Sequence, residues 1–293
     1  MKLLMRLLTF VLLSLLAGAG GAQAAEDDRP VVDASKVAVE TITNQALPTF
    51  HIVGDSTVRS GGTGVGLWGW GERIAPFFDP QKINVVNHAI GGRSARTFFT
   101  EGRWDKVLAV TRPGDFVIIQ FGHNDGGRIG DPAAKGRPDG AGTGDETVAD
   151  TKPDGTKELV HTFGWYMARF VTDARAKGAT VILCSPVPHK QRWQTGRDFA
   201  SFAQWDETVA QAHGALFIDL TLVVTQVYKL AGPDKVNTYF ADKGTHTTDL
   251  GAQVNAACVV AGLKSLPGHP LDAYFSSKAA DVKPYVAAAP NTP

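Results

Sequence analysis

Four residues suited to acyl transfer stand in separate motifs of this 293-residue chain. Ser56 lies in Gly54-Asp55-Ser56, just after the apolar run at 50–53. Gly92 lies in Gly91-Gly92-Arg93-Ser94. Asn124 lies in Gly122-His123-Asn124-Asp125, directly after the apolar run at 116–121, and His246 in Lys243-Gly244-Thr245-His246. A serine hydroxyl attacks an ester carbonyl once a histidine removes its proton, and backbone N–H groups with an amide can hold the oxyanion that forms. The expected roles are Ser56 as nucleophile, His246 as base, and an oxyanion hole built from the N–H groups of Ser56 and Gly92 and the Asn124 amide. Singly, each residue has a plainer account: an N-cap serine, a turn glycine, an Asx-turn asparagine and a loop histidine. Their joint occurrence, three of them at the ends of predicted strands, favours the chemistry. The pattern is not Gly-x-Ser-x-Gly, so an ordinary α/β-hydrolase elbow is disfavoured.

Short Val/Ile/Phe runs bounded by Gly or Pro predict strands at Phe50–Val53, Asn84–Asn87, Phe116–Phe121, Thr180–Ser185 and Leu216–Leu220. Between them, helical stripes run through Phe163, Met167, Phe170, Val171 and Ala174, with Gly178 as stop, and through Phe199, Phe202, Ala203, Val209 and Ala210. A third runs through Leu250, Val254, Ala257, Cys258 and Ala261, capped near Thr247-Thr248-Asp249. This alternation predicts a single three-layer α/β/α domain with a five-stranded parallel sheet of flavodoxin-like order 2-1-3-4-5. That order seats the ends of strands one, two and three side by side, so Ser56, Gly92 and Asn124 meet at one sheet edge. The stretch Gly126–Lys157, rich in Gly, Pro, Asp and Lys, reads as a long loop rimming the site.

Residues 1–24 read as a signal peptide, with Lys2 and Arg6 before the apolar stretch Leu7–Ala17 and a cleavage site at Ala22-Gln23-Ala24. Residues 25–48 read as a polar leader, 49–266 as the catalytic domain and 267–293 as a partly mobile tail. The expected location is periplasmic or extracellular after cleavage near Ala24. The whole chain carries 29 basic and 29 acidic residues, a balance that gives no case for nucleic acid or an anionic membrane surface, and with no cysteine near the cut no membrane anchor is expected. Cys184 and Cys258 are expected as buried thiols rather than a bridge. No Cys-x-x-Cys or His-Glu-x-x-His motif supports a metal, the chemistry calls for no cofactor, and a monomer is expected.

These motifs resemble the blocks of the SGNH (GDSL-type) hydrolase family, and more narrowly those of rhamnogalacturonan acetylesterases. Gly54-Asp55-Ser56-Thr57 resembles the first block, Gly91-Gly92-Arg93-Ser94-Ala95-Arg96 the second, Phe121-Gly122-His123-Asn124-Asp125-Gly126-Gly127 the third and Thr245-His246-Thr247 the last. The stretches 142–147 and 160–166 look like the bacterial branch. The resemblance implies the roles assigned above and a secreted esterase that deacetylates a pectic polysaccharide, most naturally rhamnogalacturonan. The family places its triad acid three residues before the histidine, where this chain has Lys243. Asp242, four before, is the favoured acid, with Asp249 or a backbone carbonyl as rivals.

Trp68, Trp70 and Trp193 could stack on sugar rings, and Arg93, Arg96, His189, Lys190, Arg192 and Arg197 could meet uronic acids. Trp68, Arg93, His189 and Trp193 are the chosen substrate-binding candidates. Competing readings are an acetylxylan esterase, a lysophospholipase or thioesterase of the same superfamily, and a catalytically silent carbohydrate-binding protein.

Overall fold

Alternating residues in five short strands send apolar side chains to opposite faces of one parallel sheet. The computed structural model describes residues 41–59, 66–152, 154–194 and 197–286. The expected signal peptide, the leader up to residue 40 and the tail beyond 286 lie outside them. The strands are β1 (Thr49–Gly54), β2 (Asn84–Asn87), β3 (Phe116–Gln120), β6 (Thr180–Cys184) and β7 (Leu216–Ile218), in the order β2-β1-β3-β6-β7. All four pairings are parallel, the expected topology.

Phe50, Ile52, Ile118 and Ile182 face one apolar layer, closed by α1 (Trp70–Arg73), α6 (Leu220–Ala231), α7 (Pro233–Asn237) and α8 (Asp249–Leu263). Val53, Val117, Ile119 and Leu183 face the other, closed by α2 (Ala95–Thr100), α3 (Arg103–Val110), α4 (Phe163–Ala176) and α5 (Ala200–His213). Burying each such side chain stabilises the fold by about 1.5–3 kcal/mol. Cys184 and Cys258 lie free and buried in the first layer. Burial raises both thiols, Cys258 to about 12.

Three local readings are corrected. The stretch read as one long loop contains an antiparallel hairpin, β4 (Thr147–Thr151) and β5 (Lys157–His161), with Val148 opposite Val160. Gly155, at φ +86°, supplies the left-handed turn residue between the two strands. Leu220, read as strand, instead opens α6, because the Asp219 carboxylate accepts from the Leu222 N–H and caps the helix. The segment read as a tail from residue 267 packs back on the domain: Leu271, Ala279 and Val282 are buried in the first layer. At the other end, Thr43 and Asn44 donate to Asn84 Oδ1 and tie residues 43–44 to β2.

Candidate active site

The turn that carries Ser56 follows β1. A methyl group on Gly54 would stand 2.7 Å from the Gln120 carbonyl oxygen, so only glycine lets the chain leave β1 this close to β3. Asp55 then closes the turn. Its backbone carbonyl accepts from the N–H groups of Val58 and Arg59, and its Oδ1 accepts from the N–H and hydroxyl of Thr57, each at 2.8 Å. Its other oxygen stands 3.3 Å from His123 Nδ1. Burial opposes ionisation of Asp55, but the His123 ring and the Thr57 donors outweigh it and hold the carboxyl below its usual range. Asp55 thus locks the first motif to the third.

The second and third motifs are locked by a different acid. Asp125 accepts from the Ala95 N–H at 2.6 Å and the Gly122 N–H at 2.8 Å. Asn124 Nδ2 donates to the Arg93 carbonyl at 3.1 Å. Gly91 packs close enough to Ser56 that a methyl on it would stand 3.5 Å from the serine Cβ. Gly92 sits at φ +75°, a conformation that strains any other residue. The N–H groups of Ser56 and Gly92 enter no hydrogen bond among the described residues. Serine, glycine and asparagine therefore form one contiguous patch at the carboxyl edge of β2-β1-β3.

His246 arrives from the far end of the chain. Its Nε2 stands 2.9 Å from Ser56 Oγ, and its Nδ1 stands 2.5 Å from Asp242 Oδ2. A carboxylate accepts only, so Nδ1 carries the proton and the Nε2 lone pair faces the serine hydroxyl. Asp242 Oδ1 accepts from the N–H groups of Gly244, Thr245 and His246 at 2.9, 2.7 and 3.1 Å. Burial raises this acid, but the His246 bond and the backbone donors win, leaving it well below the usual carboxylate range. The four-residue spacing is absorbed by a loop pinched at its base, where Ala241 N–H donates to the His246 carbonyl and Phe240 bridges to Thr247. The rival Asp249 turns away to Arg73 and Gln253.

The sequence matches the GDSL-like Lipase/Acylhydrolase family over residues 52–254. The chain belongs to that family. Rhamnogalacturonan acetylesterase of Emericella nidulans is 36% identical, over 71% of this chain and 81% of that protein. A probable rhamnogalacturonan acetylesterase of Bacillus subtilis, YesY, is 32% identical, over 75% of this chain and 94% of that one. The solved structure of the YxiM protein of Bacillus subtilis shares the fold, with a TM-score of 0.59 at 24% identity, covering 74% of this chain and 56% of that chain. The chain is a carboxylic ester hydrolase of the GDSL type, on the SGNH fold.

Within this GDSL-type scaffold the substrate-binding candidates divide. Trp68 lies beside the histidine loop: its N–H donates to the Thr247 carbonyl at 2.9 Å, and the Arg73 guanidinium covers its ring at 4.0 Å. His189 is half-buried, paired with Asp198 at 2.8 Å and stacked on Phe199, on a segment whose Lys190 N–H donates to the Gly244 carbonyl. Trp193 and Trp70 are corrections. Trp193 is buried against Tyr228 in the first apolar layer, and Trp70 is buried with its indole N–H on Gln120. Arg93 is a third: it is buried, donating to Glu101 at 2.9 Å and to the Gly91 carbonyl. Arg96 is also buried, holding Asp150, Glu158 and the Pro138 carbonyl, while Arg197 pairs with Asp219. Sequence reasoning missed the Asp55–His123 pair and Arg137, whose Nη1 donates to Asn124 Oδ1 at 3.0 Å. Among the described residues no group of three His, Cys, Asp or Glu side chains could hold a metal ion.

Proposed function

We propose that this protein is an exported serine esterase that removes acetyl groups from a pectic polysaccharide, with rhamnogalacturonan as first choice. The observation that carries the mechanism is the line Ser56 Oγ, His246, Asp242, at 2.9 and 2.5 Å, beside a patch of N–H donors. The substrate rests on the names of the two relatives above 30% identity. Export, with cleavage near Ala24, rests on the charge and apolar pattern of residues 1–24.

Ser56 Oγ attacks the acetyl carbonyl carbon while His246 Nε2 takes the hydroxyl proton, and Asp242 steadies the imidazolium that results. The carbonyl electron pair moves onto oxygen, where the N–H groups of Ser56 and Gly92 and the Asn124 amide receive it. The pair returns, the C–O bond to the sugar breaks, and the imidazolium protonates the departing sugar hydroxyl. Water, deprotonated by the same nitrogen, then releases acetate from the acyl-enzyme.

Acetate release from acetylated rhamnogalacturonan, acetylated xylan, long-chain esters and a chromogenic acetate tests this reading in the wild type and Ser56→Ala. The expected order places rhamnogalacturonan first, with Ser56→Ala lowering turnover at least about 10³-fold. A preference for xylan or long acyl chains replaces the substrate, and undiminished turnover by Ser56→Ala removes the mechanism.

A further inference from the structure

Asn124 can serve an oxyanion only if its amide points the right way. The amide oxygen and nitrogen have nearly the same size, so a half-turn of the group would present an acceptor where a donor is needed. Packing alone distinguishes the two orientations weakly. Here two neighbours of opposite polarity decide it. Arg137 Nη1 donates to Asn124 Oδ1 at 3.0 Å, and the Arg93 carbonyl accepts from Nδ2 at 3.1 Å. A guanidinium has only donors and a carbonyl only acceptors, so the flipped amide would set N–H against N–H and oxygen against oxygen. One Nδ2 hydrogen goes to Arg93, which leaves the other for a reacting oxygen.

Arg137 is itself braced. Its Nε and its backbone N–H both donate to the Ala134 carbonyl, at 3.0 and 3.1 Å. The following residues fasten to the second and third motifs: the Pro138 carbonyl accepts from Arg96 at 2.7 Å, and the Asp139 N–H donates to the Asp125 carbonyl at 3.1 Å. The segment 137–139 is a strap across the motif that carries Asn124. A cation on the amide oxygen also draws electron density from the amide and strengthens its N–H as a donor.

We infer that Arg137 is a positioning residue of the esterase reaction, holding the Asn124 amide in the donor orientation and polarising it toward the oxyanion. This rests on the reading of Asn124 as an oxyanion donor.

A double-mutant cycle on a neutral chromogenic acetate tests it, using wild type, Arg137→Met, Asn124→Ala and the pair. Asn124→Ala is expected to lower kcat about 10²- to 10³-fold. Arg137→Met is expected to lower kcat about 10- to 100-fold with KM within about twofold. Added to Asn124→Ala, Arg137→Met costs less than about a further twofold, because the group it orients is gone. Arg137→Lys keeps one donor and the charge and is expected to recover most of the loss; if Arg137→Met does not fold, the same cycle is run with Arg137→Lys and Arg137→Gln, with Gln the worse. Full multiplicative loss in the pair overturns the assignment. So does an unchanged kcat on the neutral ester with a raised KM confined to acidic polysaccharide, which would make Arg137 a binder of substrate charge. Failure of the underlying esterase reading is distinct: it appears as absent wild-type turnover or an unaffected Ser56→Ala.

Discussion

Asp242 does two jobs with two oxygens. Oδ1 closes its own loop over three backbone N–H groups, and Oδ2 orients the imidazole. Replacing it by Asn allows the amide nitrogen to face Nδ1 and invites the wrong tautomer, which cost about 10⁴ in kcat in the chymotrypsin template. Asp242→Asn is therefore expected to lower kcat about 10³- to 10⁴-fold, whereas Asp249→Asn, which loses only a partly exposed pair with Arg73, stays within about threefold. Steady-state kinetics on a chromogenic acetate checks both; equal losses would reassign the acid. Motif spacing singled out Ser56, Gly92, Asn124 and His246; strand order brings the first three to one edge of the sheet, and His246 reaches Ser56 on the loop ahead of α8. Spacing could not tell which tryptophans and arginines face outward. Trp193 and Arg93, expected to face substrate, lie buried, since burial depends on which layer a loop crosses.

The β4–β5 hairpin shows how a peripheral piece is held to the second motif. Arg96 on α2 is fully buried and binds Asp150 of β4 and Glu158 of β5, with Lys152 as a second cation on Glu158. Removing a buried cation leaves its acids unpaired, a change that typically costs about 3–5 kcal/mol. Arg96→Met is expected to lower stability by about that amount in urea unfolding and to expose the hairpin to tryptic cleavage at Lys157. Unchanged stability and cleavage would show the hairpin to be held by other contacts. The hairpin was readable and missed. Alternation at 147–151 and 157–161 about an Asp154-Gly155 turn is a hairpin pattern, but two of its apolar residues, Val148 and Leu159, remain exposed and weaken the two-faced contrast. The inner strands β1, β3 and β6 were easier because they are buried almost throughout, on both faces. The start of helix α6 escaped because the strand reading Leu216–Leu220 ran through Asp219, whose side chain caps the helix instead.

The molecule as a whole carries a buried acid pair behind its reactive edge. Burial lifts Asp125 to about 7 against the pull of the Ala95 N–H, and the Asp55 charge adds to the rise. Burial and the Asp125 charge push Asp139 well above its usual range. The folded protein thus keeps protons that the unfolded chain, titrating near 4, releases. Such stability is complete below about pH 4 and declines as pH climbs through about 7. Asp139→Asn takes one acid out of the pair while its amide can still donate to Asp125. Between pH 5 and pH 8 its Tm is expected to fall at least about 3 °C less than that of the wild type. Calorimetry at the two pH values measures it, and parallel curves would reject the shared burial as the cause.

The bond between His246 and Ser56 spans 190 positions of sequence. All five strands of the parallel sheet precede residue 219, so in the proposed mechanism the hydroxyl at position 56 takes its base from a part of the chain beyond the whole sheet. A product truncated upstream of that imidazole would lose the proposed base together with α8, whose apolar side chains close one layer of the core.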